Sequence, residues 1–247
     1  MPTRIKVIWI LCCFLIFIGF LYFSMQRGYE SERKRMDEAR LKAEQAVKTE
    51  KEVKDFKVES FQTTSNDIKE LIALGKHEEA QKAAQEVISK NPKDASAYTW
   101  WGISLVKTKK LFEAIQKFEK SAEIDKYNTK TFLYWGLTLY MEHKYEEAIQ
   151  KYLNVIKLDP ENSNAFAYWG SALFALGHTK DAIERFKQAL NVNPNNEIAL
   201  DVMVDAYYSL SEYKDAWKVV ANARERNVKI SEETLTKLKE AMPEPTA

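Results

Sequence analysis

AYTWWG at residues 97–102, TFLYWG at 131–136 and AFAYWG at 165–170 are one phrase written three times. Their glycines, Gly102, Gly136 and Gly170, are evenly spaced along the chain. The same interval links Ala114, Ala148 and Ala182, then Phe118, Tyr152 and Phe186, then Pro160 and Pro194. It runs back to Ala80 and Pro92 and forward to Tyr207, Ala216 and Ala223, so five units can be laid over 61–94, 95–128, 129–162, 163–196 and 197–230.

Counting from the first residue of each unit, large apolar groups fall at positions four, seven and eleven, with Gly at eight. In three successive units these are Tyr98, Trp101, Gly102 and Leu105; Phe132, Trp135, Gly136 and Leu139; and Phe166, Trp169, Gly170 and Leu173. Spacing of i, i+3, i+4, i+7 is one face of a helix. Gly inside a helix costs ~1 kcal/mol against Ala, so its recurrence points to a crossing with no room for a side chain, where one forced in would cost roughly 1–3 kcal/mol. A second helix follows a short turn, with Ala148 and Tyr152, or Ala182, Phe186 and Ala189, on one side. It ends at Asp159–Pro160 and Asn193–Pro194, because the residue before Pro is pushed out of helical geometry. Two helices this short cannot bury both faces alone and must stack on their neighbours, which makes a solenoid.

A period of 34 that carries Trp or Tyr, then Gly, Ala, an aromatic residue and Pro resembles the tetratricopeptide repeat family. The resemblance covers roughly two thirds of the chain and implies an all-α solenoid of helix-turn-helix units that binds protein or peptide partners. In that family the concave wall is made mainly by positions two, five, nine, twelve and thirteen of each first helix. Residue by residue this implies Ser96, Thr99, Ile103, Val106 and Lys107; Lys130, Leu133, Leu137, Tyr140 and Met141; Asn164, Ala167, Ser171, Phe174 and Ala175; and Ile198, Asp201, Asp205, Tyr208 and Ser209. Family members that grip a terminal carboxylate do so with Lys and Asn at positions five and nine. Here those positions hold Thr, Leu, Ala and Asp, then Ile, Leu, Ser and Asp, which disfavours that mode. The middle of the groove is apolar and aromatic, which suits an amphipathic helix or an extended apolar peptide. Burial of Leu133, Leu137, Val106 and Phe174 between helices is the competing reading. Trp100, Tyr134 and Tyr168, at position six, are expected to pack against the adjoining unit.

The end units depart from the pattern. Unit one has Thr64 and Asp67 where large apolar groups belong, as expected of an end with no outer neighbour, and its helix is expected to start at Asn66 or Asp67 with Ser65 as cap. Lys126 replaces the expected Pro, which puts a tight break between units two and three in doubt. Val204 replaces Gly in unit five, which suggests a wider crossing. Ser231 followed by Glu232 and Glu233 starts a last helix over 231–242, with Leu235, Leu238 and Met242 on one side. It covers the open end of the array and leaves 243–247 as a disordered tail.

Residues 7–26, VIWILCCFLIFIGFLYFSMQ, hold no charged residue. Twenty helical residues reach about 30 Å, the hydrocarbon thickness of a bilayer. The run reads as a single-pass transmembrane helix after a short basic tail at 1–6. A cleaved signal peptide would have a shorter apolar core and small residues at the cut. Cys12 and Cys13 follow the bulky Ile10 and Leu11, which speaks for apolar membrane residues, with palmitoylation open, over a lipoprotein signal. They are the chain's two cysteines, so a disulfide framework in the repeats is excluded. Lys and Arg flank the run on both sides and leave the side of the membrane undecided. Residues 27–60 are dense in Glu, Lys, Arg and Ala and read as a charged helical stalk, solvated or paired along a weak seam through Met36, Ala39, Ala43, Ala46 and Val53. Ser60–Asp67 reads as a hinge.

Before Phe61 there are 12 Lys and Arg against 9 Asp and Glu, and from Phe61 onward 25 against 27. The repeats therefore lack the concentrated basic face of a nucleic-acid binder. His77, His143 and His178 each sit near the turn inside a unit, with no Cys or second His in ligand spacing, so no metal site is read. No phosphate-cradling Gly loop, nucleophile elbow or zinc motif occurs. The chain is expected to be no enzyme, to need no cofactor, and to act as a membrane-anchored scaffold or assembly factor. Self-assembly into a coat on the membrane, an envelope chaperone-like or import-receptor-type protein as the resemblance also implies, and a subunit that tethers an enzyme are the rival readings.

Overall fold

In the computed structural model, residues 63–245 are described, preceded only by Leu41, Lys42, Glu44 and Gln45. The chain divides into two compact units, Met1–Gln62 and Thr63–Ala247. In the first, the four described residues are helical and exposed. The basic tail, the apolar run at 7–26 and the rest of the stalk lie outside the described residues. Among the described residues no helix is long and apolar enough to cross a membrane.

The second unit is all helix among its described residues. The first helices of the five units are α1 (Ser65–Ala73), α3 (Ala95–Lys107), α5 (Thr129–Met141), α7 (Ser163–Ala175) and α9 (Glu197–Ser209). Their partners are α2 (His77–Lys90), α4 (Leu111–Ile124), α6 (Tyr145–Leu158), α8 (Thr179–Val192) and α10 (Tyr213–Glu225), and α11 (Glu232–Ala241) follows. Each first helix touches its own partner, the partner of the unit before and the first helices on either side, whereas successive second helices do not touch. The first helices therefore line the inner side of the stack. The buried clusters all lie within this unit, so the segment from Thr63 carries its own core.

Each boundary between units rests on two polar residues. Asp94, Asn128, Asn162 and Asn196 recur once per unit at the repeat interval, and each side chain accepts a hydrogen bond from the backbone N–H three residues on, capping the next first helix. Three residues upstream, Asn91, Asp125 and Asn193 accept from the N–H two residues ahead at 3.2, 2.9 and 3.1 Å. Asp125 is extended like its counterparts (φ −131°, ψ 97°), so α4 stops sharply although Lys126 replaces Pro. The Asx turn makes the break, and proline only reinforces it.

The turns inside the units share another period. Gly75, Lys109, His143, Gly177 and Ser211 occupy corresponding positions, and all have positive φ. Only two of the five are glycine, the residue that enters this region without strain.

Unit one begins one residue earlier than the sequence suggests. Thr64 is the cap: the Asp67 carboxylate accepts from its N–H at 2.6 Å and its hydroxyl at 2.9 Å. Ser65 is not the cap, because its hydroxyl donates to Asp94 across the unit at 2.9 Å. At the other end, Ser231 Oγ accepts from the Thr234 N–H at 3.2 Å, and Leu238 is fully buried. The tail after α11 is partly held: Met242 carbonyl accepts from Trp217 Nε1 at 3.1 Å, and Glu244 pairs with Arg224.

The recurring glycines meet a ring. A Cβ on Gly102 would lie 2.5 Å from Phe118 Cε1, one on Gly170 2.6 Å from Phe186 Cε1, and one on Gly136 would strike Tyr152. The three rings are fully buried. Units one and five place Ile68 against Ala84 and Val204 against Val220 at the corresponding pairs, all fully buried. A large partner thus goes with a small one, and Val204 is accompanied by a smaller residue opposite.

Candidate functional site: the inner wall

Burial divides the wall residues implied by the sequence. Thr99 and Ile103 are 1% and 3% exposed and Ser171 is 8% exposed, so these three are not open to a ligand and that expectation is corrected. Thr99 instead joins a buried hydroxyl trio: its Oγ1 lies 2.8 Å from Ser121 Oγ and 2.7 Å from Thr131 Oγ1, and the latter two are 3.0 Å apart. The trio ties unit two to unit three. Position five therefore faces the next unit.

Asp205 is also committed. Its carboxylate accepts from Thr234 Oγ1 at 3.3 Å, and Asp201 accepts from the Ser231 N–H at 2.8 Å. Positions five and nine of unit five thus dock α11. Burial raises the pKa of Asp205, opposed by the Lys237 charge and reinforced by Asp201. Leu133 packs toward Val155 and Ala165, between units three and four.

A stripe at position twelve remains. Val106, Tyr140, Phe174 and Tyr208 are half-buried, rooted in the core yet part open. Tyr140 packs edge-on against Tyr145 at 5.2 Å between centroids, and Tyr208 tilts against Tyr213 at 5.6 Å. Beside the stripe, Leu137 is half-buried and Met141 is 46% exposed. Burial pushes up the pKa of Tyr140, so the wall presents neutral aromatic groups. The arrangement suits contact with apolar side chains and has no convergent acid, base or nucleophile. Among the described residues no group of His, Cys, Asp or Glu could hold a metal. The histidines occupy three different units: His77 opens α2, His143 sits at the left-handed turn and His178 precedes α8.

The position-six rings pack between units, as expected: Tyr168 lies 5.7 Å from Tyr152 of the preceding unit, and Trp100 and Tyr134 flank one cluster. Lys130 Nζ stands 4.3 Å over Trp100. Trp101, Trp135 and Trp169, assigned to the repeat core, are only half-buried. Each is roofed by a cation: Lys117 at 4.1 Å, Lys151 at 3.7 Å and Arg185 at 4.4 Å. Sequence reasoning missed these lids, although their even spacing was there to be read. Ala114, Ala148, Ala182 and Ala216 are fully buried.

Paired helices repeated at a fixed interval, stacked with the first helix inward, define a helical-repeat solenoid. Family models described as tetratricopeptide repeats match residues 68–129 and 136–177. Those two stretches are tetratricopeptide repeats. Among solved structures it is similar to one described as the functional characterization of pilF from Pseudomonas aeruginosa, with a TM-score of 0.64 and 21% identity over 73% of this chain and 83% of that one. It is similar to MamA from Desulfovibrio magneticus RS-1, with a TM-score of 0.59 and 18% identity over 65% and 90% of the two chains. YrrB, described as a TPR protein with an unusual peptide-binding site, gives a TM-score of 0.52 and 19% identity over 72% and 84%. These likenesses establish the fold. No curated protein matches the sequence.

Proposed function

We propose that this protein is a membrane-tethered scaffold that holds a segment of a partner protein against the inner wall of its repeats. The observation that carries the reading is the stripe Val106, Tyr140, Phe174 and Tyr208, half-open and in register over four units, with Leu137 and Met141 beside it. Such a row offers one apolar anchor per unit, which suits an amphipathic helix or extended apolar segment. The uncharged run at 7–26 supports the tether. The peptide-binding site named for YrrB is in keeping with this role.

Self-assembly end to end is less well supported. The last helix turns Glu232, Glu233, Thr236, Lys237, Lys239 and Glu240 to solvent, a polar outer face of the kind that closes a solenoid.

The test is partner capture by the full chain in detergent, compared with Leu137→Asp and Tyr140→Ala variants. The scaffold reading expects both to lose the partner while keeping their helical dichroism. Folded variants that keep every partner would place the site elsewhere. Protease accessibility of the repeats in sealed vesicles then gives the membrane side, and full release of the chain by alkaline carbonate would exclude the tether.

A further inference from the structure

Units two to four place a tryptophan at position seven and, sixteen residues later, a cation over its ring: Trp101 with Lys117, Trp135 with Lys151, Trp169 with Arg185. Unit five has Met203 and Val219 at the two corresponding places. Both ring and lid are therefore absent from it. There, among α8, α9 and α10, lies an open cleft of about 520 Å³ with Met203 and Val219 in its lining. Its volume is within the range of ligand sites, roughly 300–1,000 Å³.

We propose that this cleft is a second binding site, separate from the inner wall, which takes an aromatic side chain, tryptophan foremost, from a partner segment. Units two to four show what these positions accept, since each carries its own indole there. The floor is apolar, formed by Leu190, Leu200, Met203 and Val219, and Tyr207 stands at one side. The rim is charged. Lys218 is paired with Asp215 at 2.8 Å. Arg226 Nε donates to the neutral Asn222 Oδ1 at 2.8 Å, and among the described residues no carboxylate lies in ion-pair range of its guanidinium. Its remaining N–H groups can hold a carboxylate next to the aromatic residue, with the fork geometry that suits this pair. The preferred anchor is thus an aromatic residue beside an acidic one.

The experiment uses segment 63–247 and the probe N-acetyl-5-fluorotryptophan, followed by fluorine NMR. The expected result is saturable broadening of the probe signal, with N-acetyltryptophan competing several-fold better than its amide or N-acetylleucine. Met203→Trp restores the residue of units two to four and should abolish broadening while the fold is kept. Asn222→Trp, at an exposed position on the rim, should do the same and decides the matter if Met203→Trp does not fold. Arg226→Ala should erase the preference for carboxylate over amide. Tyr140→Ala should change nothing, which separates this site from the inner wall. A peptide Gly-Gly-Trp-Asp-Gly-Gly should bind more tightly than the single amino acid. The proposal is overturned by unbroadened probe with the wild type, by full broadening in a folded Met203→Trp or Asn222→Trp, by equal competition from N-acetylleucine, or by a peptide no tighter than the amino acid.

Discussion

Replacing Gly102 by Val tests the packing rule on which the repeats rest. A Cβ there would sit 2.5 Å from Phe118 Cε1 and 2.8 Å from Cδ1 and Cζ, about 1 Å inside the usual carbon–carbon separation. Phe118 is fully buried, so the ring cannot swing into water. Overpacking of this kind costs about 1–3 kcal/mol, offset by some tenths for removing a mid-helix glycine. Phe118→Val alone leaves a cavity and should cost about 2–4 kcal/mol. Together the two substitutions rebuild the Val204–Val220 pair of unit five, so the double variant should be more stable than the sum of the single effects by about 1–3 kcal/mol. The assay is urea unfolding of segment 63–247, fitted with repeats as coupled elements because arrays depart from two-state behaviour. Additive effects would refute the claim that the glycine is there for the ring.

Tyr152 is fully buried and its hydroxyl has no hydrogen-bond partner among the described residues, so Tyr152→Phe should stabilise by about 1 kcal/mol; a lower melting temperature would mean that the hydroxyl is bonded. Lys109 and His143 hold φ of 61° and 59°, and Lys109→Gly or His143→Gly should each stabilise by about 0.5–1 kcal/mol, whereas unchanged unfolding midpoints would show that the turns are not strained. Burial raises the folded pKa of Asp205 above its unfolded value, so the folded state holds the proton more tightly and this group's contribution to stability falls as pH rises through the window between the two values. Asp205→Asn should remove that fall and raise the melting temperature at neutral pH, and an unaltered pH profile would count against it.

The solenoid was legible because its cause is periodic. One glycine-to-ring contact, one small residue and one break recur in each central unit, and periodicity survives any uncertainty about a single helix. The inner wall was legible only in part, because which way a position faces depends on its neighbour's size. Thr99 faces inward by register but is buried by a trio in which Ser121 and Thr131 correspond to Val155 and Ala165 one unit on, so no repeat announces it. Asp205 looked like a groove residue until α11 used it. The break at Lys126 is harder to read from sequence because its cause is the Asp125 side chain, with no proline after it. The cleft in unit five shows the reverse case: the two departures that line it, Met203 and Val219, stand at periodic positions and could have been found by asking where the tryptophan and its cation are both replaced by apolar residues.

Site-specific photo-crosslinking tests the scaffold reading most directly. A benzoylphenylalanine placed at Met141, exposed beside the aromatic stripe, is compared with one at Asn154, exposed on α6. The account predicts adducts with a protein partner from position 141, lost in Tyr140→Ala, and none from position 154. Adducts from 154 alone, or adducts from 141 that persist unchanged in the folded Tyr140→Ala variant, would contradict it.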